Sequence, residues 1–266
     1  MRLRFLLGAA MVAALLSVIG SASVAAAGSG YTCSGGVWTG DPSTSTFVSI
    51  PSGHYSNITV TGVCDVVPNA AIKVAGSINV APGALFNAQS APSWIVVGHN
   101  VTAGAGSFLG LGCLPDGAHS GHQCAIGPNG SSVIIVKGNV SATDAALVLL
   151  NGITVKKNVT LIGGGPGRDW AEKHNTIGGN LTISGVNPDW MGVEFNNVTG
   201  SVKLSNIWAG DPGDGGFGAV DVVLNQIGQN LTCSGLGPRL SGGFIPGEVN
   251  TVGHLTVGQC VGLVGG

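Results

Sequence analysis

One short string keeps returning along this chain: an Asn, then an apolar residue, a Thr and a second apolar residue. It appears as "NITV" at 57–60, "NVTL" at 158–161, "NLTI" at 180–183 and "NLTC" at 230–233. Aligned on the residue that follows the Asn position, the series runs Ile58, Ile78, Val101, Val140, Val159, Leu181, Val202, Leu231 and Leu255. Most steps are 19 to 24 residues, and the two longer ones, 39 and 29, hold Gly-rich or Cys-bearing inserts. A period near twenty with this drift is the mark of a solenoid.

Within each unit the apolar residues alternate, which places one face of a short strand in a core. Val159 and Leu161 flank Thr160, and Leu255 and Val257 flank Thr256 in the same way. Helical spacing is absent, and β-branched residues and the 47 Gly argue against helices. Such a unit cannot bury its apolar side alone. Stacked coils with each strand paired in parallel to its copies, ~4.8 Å apart, can do so. Parallel crossovers are right-handed in nearly all proteins. The expected fold is therefore all-β, a right-handed single-stranded parallel β-helix of about nine to ten coils. The repeated Asn57, Asn100, Asn139, Asn158, Asn180 and Asn230 are expected to stack at one corner as a hydrogen-bonded ladder, with His254 in the Asn place of the last unit. N-glycosylation is the rival reading, because each Asn also begins an Asn-x-Ser/Thr triplet.

The first 27 residues fall outside this pattern. A basic "MRLRF", the apolar "LLGAAMVAALLSVIG" and small residues at Ala25 and Ala27 read as a secretory signal peptide, residues 1–27, ahead of a domain at 28–266. The apolar run is shorter than the ~20 residues that a membrane span needs. The expectation is a secreted, extracellular protein with no membrane association after cleavage. Removing Arg2 and Arg4 leaves eight basic against twelve acidic residues, a net charge of −4. Nucleic acid is excluded as a partner, since no basic face is available. The six Cys are even in number, as expected for disulfides in an exported chain, although six allow 15 pairings. Their order suggests Cys33–Cys64, Cys113–Cys124 and Cys233–Cys260. Zinc sites of the CxxC type are absent.

Several of these strings carry a resemblance. "GNVSATDAALVLL" (138–150), "NVTLIGGGPG" (158–167), "NTIGGNLTISG" (175–185), "NQIGQNLTCSG" (225–235) and "NTVGHLTVGQC" (250–260) resemble a family of secreted actinobacterial proteins with no assigned function. "YTCSGG", "GHYSNITVTGVC" and "LGLGC" are similar to the same group, so the likeness spans nearly the whole mature chain. It implies a secreted β-helix and brings no catalytic residues with it.

Chemistry is harder to find. A polysaccharide lyase needs an Asp cluster for calcium and a basic residue to take the proton. The mature chain has two Arg, Arg168 and Arg239, and neither lies in a strand with clustered acids. A glycoside hydrolase needs paired carboxylates about the scissile bond, and the Asp motifs of pectin hydrolases are missing. His119 and His122 sit in "DGAHSGHQC", which reads more simply as a disulfide-tied loop than as a metal site, so no metal or cofactor is expected. One outward Thr column, from Thr59 to Thr256, is too little for an ice-binding face.

The inserts at 163–175, 185–192, 206–218 and 234–248 follow the same strand of the repeat, so they emerge together on one face. They carry Trp170, Trp190 and Trp208 near Asp169, Asp189 and Asp211. Indole rings beside carboxylates suit sugars, through stacking and hydrogen bonds. The rings could equally cover the loops' own backbone. The reading is a secreted structural or cell-surface interaction protein without catalysis, with a polysaccharide or cell-surface glycan as the partner for the loop-bearing face. A β-helical polysaccharide lyase or glycoside hydrolase is the alternative.

Overall fold

A computed structural model describes residues 28–115, 122–210, 220–242 and 247–265; the signal-peptide segment, His119 and Asp211 lie outside the described residues. The chain is a parallel β-helix. Each coil contributes one strand to each of three sheets, of ten, nine and nine strands. Sheet I holds the Asn-φ-Thr-φ strands, such as Val159–Ile162 and Leu181–Ser184. Sheet II holds the strands that follow, such as Trp170–Lys173 and Met191–Glu194. Sheet III is built from shorter strands, such as Thr176–Ile177.

The register in sheet I follows the repeat. Ile58, Ile78, Val101, Val140, Val159, Leu181, Val202 and Leu231 form one inward column, each pairing with the next. All are 1% exposed or less. A buried aliphatic side chain contributes about 1.5–3 kcal/mol relative to an exposed one, so each coil is held by its neighbours rather than by itself.

The last coil departs from the expected alignment. Thr256, not Leu255, pairs with Leu231, and Gly258 pairs with Cys233. Leu255 and Val257 are consequently exposed, at 67% and 48%. Among the described residues no further coil covers this end. A 3-10 helix, Gln259–Leu263, closes it instead, with Cys260 buried and bonded to Cys233. The other disulfides are Cys33–Cys64, near the first coil, and Cys113–Cys124, across the insert after sheet II.

Two Asn ladders hold the corners. In the outer one, each main-chain N–H donates to the side chain of the coil before it: Asn139 to Asn100 (2.9 Å), Asn158 to Asn139 (3.1 Å) and Asn180 to Asn158 (2.9 Å). Ser201 takes one place in this series, and the N–H of Leu255, not His254, closes it on Asn230. The second ladder is buried and was not anticipated. Asn175, Asn196, Asn225 and Asn250 follow one another at the turn from sheet II to sheet III. Each Nδ2 also donates inward to a strand carbonyl, as Asn225 does to Val193 at 2.8 Å. The residues just before three of them, His174, Phe195 and Leu224, have φ of 55°, 57° and 50°. Such a conformation is uncommon for residues other than Gly. The Asn bonds on both sides of the turn hold it in place.

Candidate ligand groove

The outer face of sheet II carries most of the groups able to do chemistry. Alternation sends Trp170 and Glu172 inward and Ala171 and Lys173 outward. The next strand sends Gly192 and Glu194 outward, and Val220–Val223 sends out Asp221 and Val223. Leu149, Ala171, Gly192 and Asp221 thus form one outward column. Asn151, Lys173 and Glu194 form part of the next.

Trp190 is the centre of this face. It precedes the strand, and its ring folds back over Gly192, where a Cβ would stand 2.2 Å from the indole. Only Gly lets the ring lie this close to the sheet. Its Nε1–H donates to Asp221 Oδ2 at 2.9 Å. The Lys173 ammonium lies 4.7 Å from the ring centre and 3.0 Å from Glu194 Oε2. The indole is therefore fixed by a hydrogen bond, a cation and a close backbone contact. Burial pushes the Asp221 carboxyl up to about 6, reinforced by the charge of Glu194 and opposed by the bonds from Trp190 and Ser241 and by Lys173.

Beside Trp190 a cavity of about 260 Å³ opens, with Asp169, Lys173, Asn151, His122 and Gln89 in its wall. Asn151 is 3% exposed; its Nδ2 donates to the His122 carbonyl, while its Oδ1, also buried, accepts no hydrogen bond among the described residues. A buried acceptor left without a donor costs about 1–3 kcal/mol, so a turn of the Asn151 amide that brings Oδ1 to a ligand hydroxyl in this cavity would be favourable. Burial pushes the His122 imidazole below its ordinary value, and Lys173 adds to the shift.

A second cavity, about 360 Å³, adjoins the first and shares Gln89, His122 and Leu149 with it. It is largely apolar. Leu85, Phe108 and Leu147 form its floor, and Trp38 and Phe47 come from a hairpin of residues 35–47, closed by an antiparallel bridge between Val37 and Thr46. The Trp38 ring lies 5.5 Å from that of Phe108, and the Arg168 guanidinium lies 5.8 Å from the Phe108 ring on its other contact.

Of the six residues expected on one loop-bearing face, the five that are described do not stay together. Trp170 is wholly buried in the solenoid, with its Nε1–H donating to the Ala146 carbonyl, and presents no ring face to a ligand. Trp208 is 60% exposed, on sheet I, and covers Gly237. Asp189 lies near Gly210, away from the groove wall. Trp190 and Asp169 remain in the groove. Conversely, acids scattered in the sequence gather here: Glu194 and Asp221 on neighbouring strands, Asp169 at the rim and Glu172 beneath the sheet. Asn151, Glu194 and Asp221 escaped the sequence reading because each sits singly in an otherwise apolar strand, and Lys173 because its neighbour Glu172 faces the other way. The recurrence of Asn151, Lys173 and Glu194 at one register on successive coils is the signal that could have found those three; Asp221 stands one column over. Comparison with protein families, with curated proteins and with solved structures finds no match to this chain.

Proposed function

We propose that the protein binds an oligosaccharide in the groove on the outer face of sheet II, and that it acts outside the cell as a glycan-binding protein. Three disulfides accord with an extracellular setting, and no helix among the described residues is long and apolar enough to cross a membrane. The observation that carries the reading is a cavity walled by polar side chains, Asn151, Asp169, Lys173 and Gln89, and bounded by the fixed indole of Trp190; the Asn151 amide has an acceptor to spare. A sugar offers both things this site lacks: hydroxyl donors for the acceptor and an apolar ring face for the indole. The test is a glycan array followed by calorimetry. Trp190→Ala is expected to weaken binding of an array hit by about 1–3 kcal/mol, while Trp208→Ala leaves it unchanged. Equal loss from both variants, or no glycan bound, refutes the reading.

One observation favours a second reading, a glycoside hydrolase. Asp221, raised to about 6, sits beside Glu194. A carboxyl with a raised pKa beside a second carboxylate residue is the usual starting arrangement in such enzymes. Against it, Asp221 is fully buried under Trp190, so the ring must swing away before the carboxyl can reach a glycosidic oxygen. Release of reducing ends from an array hit, abolished by Asp221→Asn, would favour hydrolysis over binding.

A further inference from the structure

We infer that the groove takes an amphiphilic glycoside, with its sugar head at Asn151 and Trp190 and a single alkyl or aryl tail in the apolar chamber beneath the hairpin of residues 35–47. The inference rests on the glycan reading for the head and adds the tail. Its starting point is the shared wall. Gln89, His122 and Leu149 border both cavities, so a ligand can pass from the polar end to the apolar end without leaving the outer face of sheet II.

The chamber's construction points to an apolar occupant. Its floor spans three successive strands, Leu85–Ala88, Phe108–Leu111 and Leu147–Asn151, two strand spacings or about 10 Å of path. Gly110, in the middle of that floor, adds no side chain of its own; the Gln89 side chain lies against it, where a Cβ would stand 3.0 Å from its Oε1, and marks the border between the two chambers. The hairpin contributes the roof. Trp38 contacts Phe47 edge-on at 6.4 Å and Phe108 at 5.5 Å, so the roof is locked to the floor by aromatic contacts rather than by polar ones. Arg168 at the border rests its guanidinium against Phe108 and covers apolar surface with its stem. A free oligosaccharide would leave this chamber unfilled. A free fatty acid or alcohol would leave Asn151 Oδ1 without its donor.

The probes are methyl, hexyl and octyl β-maltoside, each below its aggregation concentration, and octanol as a tail without a head. Titration calorimetry on the purified protein is expected to show affinity rising with chain length. Full burial of a methylene, ~0.8 kcal/mol, is about fourfold, so octyl should bind roughly fifteenfold tighter than hexyl maltoside. Leu147→Trp fills the chamber from the outer face, where Leu147 is half-buried, and should erase the dependence on chain length while methyl maltoside binds as before. Trp38→Ala, which opens the roof, should weaken octyl but not methyl maltoside. Affinity independent of chain length, with binding still sensitive to Trp190→Ala, overturns the tail and leaves the glycan reading standing. Octanol binding as tightly as octyl maltoside overturns the head, and the glycan reading with it. Failure of every maltoside to bind overturns the inference.

Discussion

Glu172 puts a carboxyl where the solenoid has no water. It is fully buried, in register between Leu150 and Val193, and neither of its oxygens accepts a hydrogen bond among the described residues. Burial pushes its carboxyl well above the ordinary value of 4.5. The native state therefore keeps a proton that the unfolded chain releases above that value. Stability from this group is fully present below pH ~4.5 and is lost as pH rises, by ~1.4 kcal/mol per unit, until the native carboxyl itself ionises. Glu172→Gln keeps the shape and has no proton to lose, so its stability should lack this slope. Glu172→Met also removes the unpartnered polar atoms and should be more stable than the natural protein by ~1–3 kcal/mol even at pH ~4.5. Urea denaturation of the three proteins from pH ~4.5 to ~8, with disulfides intact, measures both effects. Subtracting the Gln variant's curve removes the titration of Asp221 and the His residues. A difference that stays constant across this range, or a Met variant less stable than the natural protein, refutes the placement of Glu172 as a neutral, unpartnered acid.

Leu181→Asp places a charge in the inward column and should abolish folding, whereas Thr182→Asp, one residue on and facing out, should cost under ~1 kcal/mol; expression and thermal melting compare them. Asn225→Ala removes a buried ladder member with bonds to Asn196, Asn250 and Val193 and should cost about 2–4 kcal/mol, while Asn158→Ala in the exposed ladder should cost about 1 kcal/mol or less, read by urea denaturation. Trp190 fluorescence should change with a midpoint near 6 as Asp221 titrates, and Asp221→Asn should remove that transition; the raised carboxyl also means that its contribution to stability is present below its ordinary 3.8 and fades as pH rises through about 6.

The coil register was legible because it rests on a side-chain period of two and a repeat near twenty, both visible in residues such as Val159, Leu181 and Leu231. The slip at Leu255 was not, since "HLTV" at 254–257 keeps the alternating φ-Thr-φ letters, yet among the described residues no coil lies above to bury them. The inner ladder was spelled out as well. Asn175, Asn196 and Asn225 each stand five residues ahead of an outer-ladder position, 180, 201 and 230, yet isolated Asn residues in turns are common enough to pass unnoticed. The site was read least well, for a reason of register. "DW" occurs at 169–170 and at 189–190, but Trp170 pairs with Met191, so Trp190 stands level with Asp169 rather than with Trp170. A one-residue offset on a strand exchanges inside for outside. Two identical dipeptides thus gave one core residue and one groove residue.

The closing 3-10 helix has a bearing on how this protein lives with others of its kind. A stack of parallel strands offers an open rim of unpaired amides and carbonyls at its final coil, a template on which another chain can polymerise. Gln259 meets part of that rim with a side chain in place of a strand: Oε1 accepts from the Leu236 N–H and Nε2 donates to the Leu236 carbonyl, both at 2.8 Å. One amide thus reproduces the donor and acceptor of a neighbouring strand at this position, but it brings no extended backbone beside it for a further strand to follow. Growth of the sheet stops at that position because the last partner it accepts cannot itself be copied.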